Sequence, residues 1–376
     1  MINYTKLLTI AVLLLLVSCT KNDTKIDTYE TLSVEETKVN QDAIEARLDQ
    51  ALAAADALLA DQDEGLDFRT KVTLPAGSVN GLAAAIAAAG PGGKVTVACG
   101  NHYESGTVNI TFPVRIIGEP GAVFLWSGLD PADPEQTQQD PAIYAKNTSD
   151  LKIKGLEFRG GNGGLRACML LENVPNSKIL KNKITGFQSS ITGLNVDNAK
   201  ISGNYLEGLG FGGGILILSG ASVLISDNEV FAFTFPIFPS GGPGVVVRNK
   251  MHQGFFGIIL CTLDIDLPDG TNVEAPDATN HYLVSKNESY NNAWGYIVID
   301  GAFDNVLFKN KAFNNSVYDI ELVGESDRFG PPTLPTSSNT TVVSNGNFNN
   351  ITIKDCAPGS VIIGGTLVDT NADPCY

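Results

Sequence analysis

The sequence predicts an all-β solenoid, a stack of short-stranded coils preceded by one helical segment. Seven short segments align on a single Asn: KILKNKI at Asn182, KISGNYL at Asn204, LISDNEV at Asn228, VVVRNKM at Asn249, LVSKNES at Asn287, VLFKNKA at Asn310 and TVVSNGN at Asn345. Their spacings are 22, 24, 21, 38, 23 and 35, so four lie near 22 and two carry insertions within one period. An aliphatic residue stands three before each Asn: Ile179, Ile201, Ile225, Val246, Val284, Leu307 and Val342. A second apolar stretch, such as GILIL, GIIL, GYIVI or YDIEL, follows most of them. A period near 22 with three short strands and no helix suits a coil that satisfies its strand edges by lying on its own copy. The repeated Asn suits a tight turn. It tolerates left-handed backbone, and its amide can bond the Asn one coil away, about 4.8 Å off.

Ahead of the repeat the chain divides into three parts. Lys6 is followed by the apolar run Leu7 to Val17, too short for a bilayer span of about 20 residues but of signal-peptide length. Residues 20–32 are polar and without apolar period, and read as a tether. From about 33 to 62 the pattern turns helical, with Ile44, Leu48, Ala51, Leu52, Ala55, Leu58 and Leu59 recurring at three and four. Ser33 with Glu36 can form a capping box, and Asn40 is an alternative start. This helix is either a spacer or a segment that docks on the first coil. The resulting division is 1–18 leader, 19–70 tether with helix, and 71–376 solenoid.

Composition narrows the function classes. The 376 residues carry 25 Lys+Arg against 41 Asp+Glu, a formal charge of −16. That balance repels a phosphate backbone, so no nucleic-acid partner is expected. Hydrophobic content of 43% is that of a folded chain. The three His, His102, His252 and His281, lie far apart and predict no common metal site. Cys99, Cys168 and Cys261 sit in apolar, strand-like segments and read as small buried residues. Cys356 and Cys375 can close the C-terminal tail if the chain is exported.

Two resemblances follow. Leu16-Val17-Ser18-Cys19 at the end of the apolar run resembles a bacterial lipobox, which implies cleavage before Cys19 and its acylation. Thr20, where Asp would imply inner-membrane retention, implies the outer membrane, with either face open. Cleavage removes Lys6 and no acid, leaving 24 − 41 = −17. The lipid is then the only membrane anchor expected. The 22-residue period and the Asn repeat resemble the right-handed single-stranded parallel β-helix of the pectate-lyase-like superfamily. VNGLAAAIAAAG looks like the helix that caps such solenoids, and GGKVTVACGNHYESGTVNITFPVRIIGEPGAVF like their first coils. The resemblance covers roughly residues 75–370. It implies a fold and leaves the chemistry open, since the scaffold hosts unrelated activities.

In that reading the ladder Asn marks the turn between the second and third strands of a coil. The strand after the next turn opens the following coil, and in relatives acting on polysaccharides it floors the groove. Both insertions, Asp264–His281 and Gly324–Asn339, fall just after it. Alternation with Ile320 and Leu322 inward puts Asp319 and Glu321 outside. With Ile297 and Ile299 inward, Tyr296, Val298 and Asp300 face out. Asp264 and Asp266 follow one coil back. Asp300, Asp319 and Glu321 are therefore candidate catalytic carboxylates, Asp264 and Asp266 candidate ligands for Ca²⁺, and Trp294 and Tyr296 candidate sugar-stacking rings. Phe255, Phe256 and Tyr318 stand beside them, and the Phe pair suits core. A plain solvated acidic face accounts for the same carboxylates.

Active-site signatures of the superfamily's enzymes are missing. There is no Asp-Asp pair with Gly-His-Gly, no RxPxxR, no Asp-Pro-His and no QAVA or GRPW. Lys354 is the basic residue available on the same sheet for a lyase. The expected partner is a polysaccharide, processed by a lyase or hydrolase with an unfamiliar site; the alternative is a non-catalytic adhesive or structural β-helix. The anchor can be tested alone. Wild-type protein should fractionate with membranes and Cys19→Ala protein should not; equal detergent partitioning of the two would remove the anchor.

Overall fold

The computed structural model describes residues 34–60, 70–127, 140–161, 167–261, 265–266, 272–273, 279–299, 301–323, 337–343, 351–364 and 366–367. Among the described residues the chain winds from Lys71 through three parallel sheets of 12, nine and 11 strands. One coil shows the order. Lys178–Leu180 lies in the 12-stranded sheet, Lys183–Thr185 in the nine-stranded sheet and Ser189–Leu194 in the 11-stranded sheet, and the chain returns to the 12-stranded sheet at Lys200–Ser202. Each strand pairs in register with its counterpart one coil away, as Ile179 does with Ile201 and Ile184 with Leu206. Both insertions leave the 11-stranded sheet, after Phe256–Cys261 and after Tyr318–Leu322. The first contains a short antiparallel pair, Ile265–Asp266 with Asn272–Val273.

The repeated Asn joins the 12-stranded to the nine-stranded sheet. Asn182, Asn204, Asn228, Asn249, Asn287 and Asn310 are all buried. Each of the first five donates its Nδ2 to the Oδ1 of the next at 2.9–3.1 Å. The backbone N–H of each donates to that same oxygen. The remaining amide proton reaches a carbonyl in the preceding coil, as Asn228 does to Ile201 at 2.9 Å. Asn345 lies outside the described residues. One expectation needs correcting: the left-handed residue of this turn is the one before the Asn. Lys181, Gly203, Asp227, Arg248, Lys286 and Lys309 have φ between 52° and 68°. They are free to face outward, while the Asn must turn inward to bond.

The aliphatics three residues before the Asn, with Ile153 one coil earlier, form one continuous inner column, from Ile153 through Ile179, Ile201, Ile225, Val246, Val284 and Leu307 to Val342. Opposite them, Phe124 stacks on Phe158 at 5.5 Å, followed by Ile184, Leu206, Val230 and Met251. The N-terminal end is closed by a short helix, Leu82–Ala89, whose first N–H groups are capped. Gly81 and Leu82 both donate to Glu104 Oε1 at 2.9 Å.

The preceding helix spans Val34–Ala60 and does not dock on the first coil. It lies against the outer face of the 12-stranded sheet. Leu48, Ala55 and Leu58 pack on Leu180, Leu224, Val247, Leu283 and Phe308. Asp56 pairs with Arg248 at 2.7 Å and Glu45 with Lys309 at 3.0 Å. Arg47 donates to the Gly244 and His281 carbonyls. The reason is the surface beneath. The outward positions of these later strands are largely apolar, with Leu224, Val247, Leu283 and Phe308 among them, and the apolar stripe of the helix removes both surfaces from water.

The cysteines divide. Cys168 and Cys261 are buried, whereas Cys99 is exposed, against the expectation for it. Cys356 is disulfide-bonded, and Cys375 lies outside the described residues.

The ladder predicts a specific loss. Asn228→Leu removes four hydrogen bonds and leaves Asn204 without its acceptor. Chemical denaturation should report a cost of about 1–3 kcal/mol for the buried partners left unpaired.

Candidate functional site

The outer face of the 11-stranded sheet has two parts. In the later coils it is apolar and buried. Phe238, Phe256, Ile259, Cys261, Trp294, Ile297, Ile299 and Val323 form a second cluster, distinct from the inner core. Phe256 lies 5.6 Å from Phe235 and 5.4 Å from Trp294, and Phe255 meets Trp294 at 5.1 Å. This overturns part of the expected alternation. Ile297 and Ile299 face outward, and Tyr296 and Val298 belong to the inner core with Ile320 and Leu322.

Tyr296 is therefore not a surface ring. It is 1% exposed, and its hydroxyl donates to the Lys311 carbonyl at 3.1 Å. Burial drives its phenol well above its ordinary pKa. Space for it exists because the inner positions of the nine-stranded sheet shrink there to Ser289 and Ala312. Hydrophobicity alone did not set the register, since every residue of Trp294–Ile299 is buried.

Two expected carboxylates are described with their partners. Glu321 faces outward and is 3% exposed. Its Oε2 accepts the Trp294 indole N–H at 2.6 Å, and Lys354 Nζ stands 4.0 Å from Oε1. Lys354 also lies 5.3 Å over the Tyr318 ring. Lys354 is 2% exposed, so the basic group proposed for a lyase is buried beside Glu321. Asp319 holds backbone in place: its Oδ2 accepts the Thr352 N–H at 3.0 Å, and Oδ1 accepts from Asn315 Nδ2 at 2.8 Å. Trp294 and Glu321 are thus in contact, and Asp319 is engaged separately. Asp264 and Asp300 lie outside the described residues, as does Cys19; Asp266 is placed by its backbone in the antiparallel pair. Among the described residues no group of three or more His, Cys, Asp and Glu is arranged to hold a metal ion.

The earlier coils keep the same face more open. Tyr144, Leu170, Thr192 and Leu216 form one half-buried row; Lys146 and Glu172 stand beside it. The Tyr144 hydroxyl donates to Glu172 Oε2, and Lys146 Nζ pairs with Oε1 at 2.8 Å. Burial, and then Glu172, push the Tyr144 phenol up, so it is a protonated donor at neutral pH. Along the rim runs a second, exposed Asn ladder. Asn173 donates to Asn147 at 2.9 Å, Asn195 to Asn173 at 3.0 Å, and Ser219 to Asn195 at 2.7 Å. All three Asn are left-handed, with φ of 51–54°. No expectation from the sequence covered this ladder. Its signal is present, because Asn173 and Asn195 each stand nine residues before Asn182 and Asn204.

A family model described as a right handed beta helix region matches residues 141–260. No curated protein matches the chain. Among solved structures, the Dettilon tailspike protein is similar over 77% of this chain and 64% of its own, at 14% identity and a TM-score of 0.46. This chain thus spans just under two thirds of that relative. The mannuronan C-5 epimerase AlgE4 A-module of Azotobacter vinelandii is similar over 79% of this chain and 95% of its own, at 16% and 0.41. The Streptococcus pneumoniae surface protein and adhesin PfbA is similar over 77% and 93%, at 13% and 0.41. What is established for this chain is its fold, the right-handed parallel β-helix.

The buried contact predicts its own energetics. Trp294→Phe keeps most of the ring area but withdraws the donor from Glu321, and should cost about 1–3 kcal/mol. A double-mutant cycle with Glu321→Gln should give a coupling of about 0.5–3 kcal/mol by denaturant titration; additive losses would mean the pair does not interact.

Proposed function

We propose that the protein is an exported, lipid-anchored β-helix of the outer membrane, periplasmic or surface-facing, that binds polysaccharide along the outer face of its 11-stranded sheet. The observation that carries this reading is the open strip of the earlier coils. Each amide has two donor protons and two acceptor lone pairs. The Asn147–Asn173–Asn195 ladder uses one proton and one lone pair of Asn173 between rungs, and its exposed edge repeats at the coil spacing of about 4.8 Å. A row of amides at that interval suits hydroxyls along an extended sugar chain. Tyr144 supplies a ring beside it, with Lys146 and Glu172 as polar groups that fix orientation. The disulfide at Cys356 suits an oxidising compartment.

Processing by a lyase or hydrolase would draw on Glu321, Asp319, Asp300 and Lys354, and on Ca²⁺ if Asp264 and Asp266 bind it. A second reading, a non-catalytic adhesive platform, is favoured by the state of Asp319 and Glu321. The first spends its oxygens on Thr352 and Asn315, and the second is held by Trp294 beside Lys354. A panel of neutral and uronic-acid polymers separates the readings. Binding should fall about tenfold in Tyr144→Ala/Asn173→Ala protein, equivalent to about 1.4 kcal/mol. Release of reducing or unsaturated sugars that Glu321→Gln abolishes would establish processing. Wild-type affinity in the double variant across the whole panel would refute this strip as the site.

A further inference from the structure

The chain enters its capping helix through Asn80 and Gly81. Asn followed by Gly is the pair most prone to cyclise. The Gly nitrogen can reach the carboxamide carbon before it, because Gly has no side chain in the way and the widest choice of backbone angles. Here the fold requires both residues. Asn80 has φ of 47°, which Asn tolerates better than most side chains. A Cβ on Gly81 would stand 2.9 Å from Leu74 Cδ1, in the inner core, and 3.2 Å from Ser78 Cβ. Packing and turn geometry therefore select a chemically labile pair.

The groups that cyclisation must move are bonded. The Asn80 N–H donates to the Tyr103 carbonyl at 2.8 Å, and the Gly81 N–H to Glu104 Oε1 at 2.9 Å. The torsion between those two N–H groups has to turn to bring the Gly81 nitrogen onto the Asn80 carboxamide carbon, and it is pinned from both sides. The carboxamide is pinned as well. Its Oδ1 accepts the Ser105 N–H at 2.9 Å and the Ser105 hydroxyl at 3.1 Å. Glu104 is buried and also accepts the Leu82 N–H, so it cannot release Gly81 without uncapping the helix. Asn80 itself is exposed, and water has access to it. The liability is chemical and the protection is conformational.

We propose that Asn80 is a self-modification site that the N-terminal cap holds shut. When Glu104 and Ser105 let go, the Gly81 nitrogen attacks Asn80 Cγ. The new N–Cγ bond closes a succinimide ring, the Cγ–Nδ2 bond breaks, and the Gly81 N–H proton leaves with Nδ2 as ammonia. Water then opens the ring at either carbonyl, leaving aspartate or isoaspartate at position 80. Aspartate keeps an acceptor for Ser105 but adds a negative charge near Glu104. Isoaspartate lengthens the backbone by a carbon between the Tyr103 and Glu104 bonds and cannot restore both. A reversible opening thereby becomes permanent, at the helix whose Leu82, Ala85, Ile86 and Ala89 cover the first coils.

The test is peptide mass spectrometry on the full chain aged in mildly alkaline buffer, with the urea-unfolded chain as reference. Local opening sets the rate, so modification at Asn80 should be about tenfold or more slower in native than in unfolded protein. Glu104→Ala removes the acceptor of the Gly81 and Leu82 N–H groups and should speed native modification about fivefold, as loss of a helix cap does. Ser105→Ala keeps the backbone bond to the carboxamide and should speed it less. If Glu104→Ala protein does not fold, urea below the unfolding transition should raise the wild-type rate in step with hydrogen exchange at Gly81 and Leu82. Equal rates in native and unfolded wild type would overturn the inference, and so would a Glu104→Ala rate equal to wild type. A slower Glu104→Ala rate would also overturn it, since Glu104 would then be the base that takes the Gly81 proton.

Discussion

Everything in this protein depends on one coil lying in register on the next. A strand of three to six residues has no partner within its own coil, so its N–H and C=O groups are satisfied only by the coils above and below. The Asn ladder extends that rule from backbone to side chain. Each Oδ1 accepts two N–H groups from the preceding rung, so the turn is bonded as fully as the strands beside it. The inner aliphatic column then stacks without interruption from Ile153 to Val342. Register, turn and core are one constraint seen from three sides.

That constraint explains what the sequence made legible. The Asn repeat and the aliphatic three residues before it recur because each rung has to match its neighbour, and the insertions showed as lengthened periods. Alternation was readable at Tyr318–Leu322, where Glu321 is charged and Ile320 and Leu322 are not. It was not readable at Trp294–Ile299, because an apolar cluster covers the outside of that strand as well as the inside. There Tyr296 took the inward place because Ser289 and Ala312 leave room for it, a three-dimensional fact with no trace in a single strand. The docking of the Val34–Ala60 helix was invisible for a related reason. Its stripe announces that something apolar lies opposite, but not which of a dozen strands.

The two parts of the 11-stranded sheet show how one scaffold separates stability from recognition. In the later coils the outward positions are aromatic and aliphatic, and the charged groups among them are held by specific partners. In the earlier coils the same positions are partly open and mix Tyr, Lys, Glu and Thr. Both follow from the same backbone pattern, so the difference lies wholly in the side chains placed on it.

The Val34–Ala60 helix has a mechanical consequence. A solenoid held only by nearest-neighbour contacts can open from an end, coil by coil. This helix touches Lys181, after the fifth strand of the 12-stranded sheet, and Lys309, after the tenth, and crosses the coils between. It acts as a splint. The coil of Lys309 and those before it in the stack cannot separate without breaking Glu45 from Lys309 and exposing Phe308. The central and C-terminal coils are therefore coupled beyond their immediate neighbours, by a segment that precedes all of them in the chain.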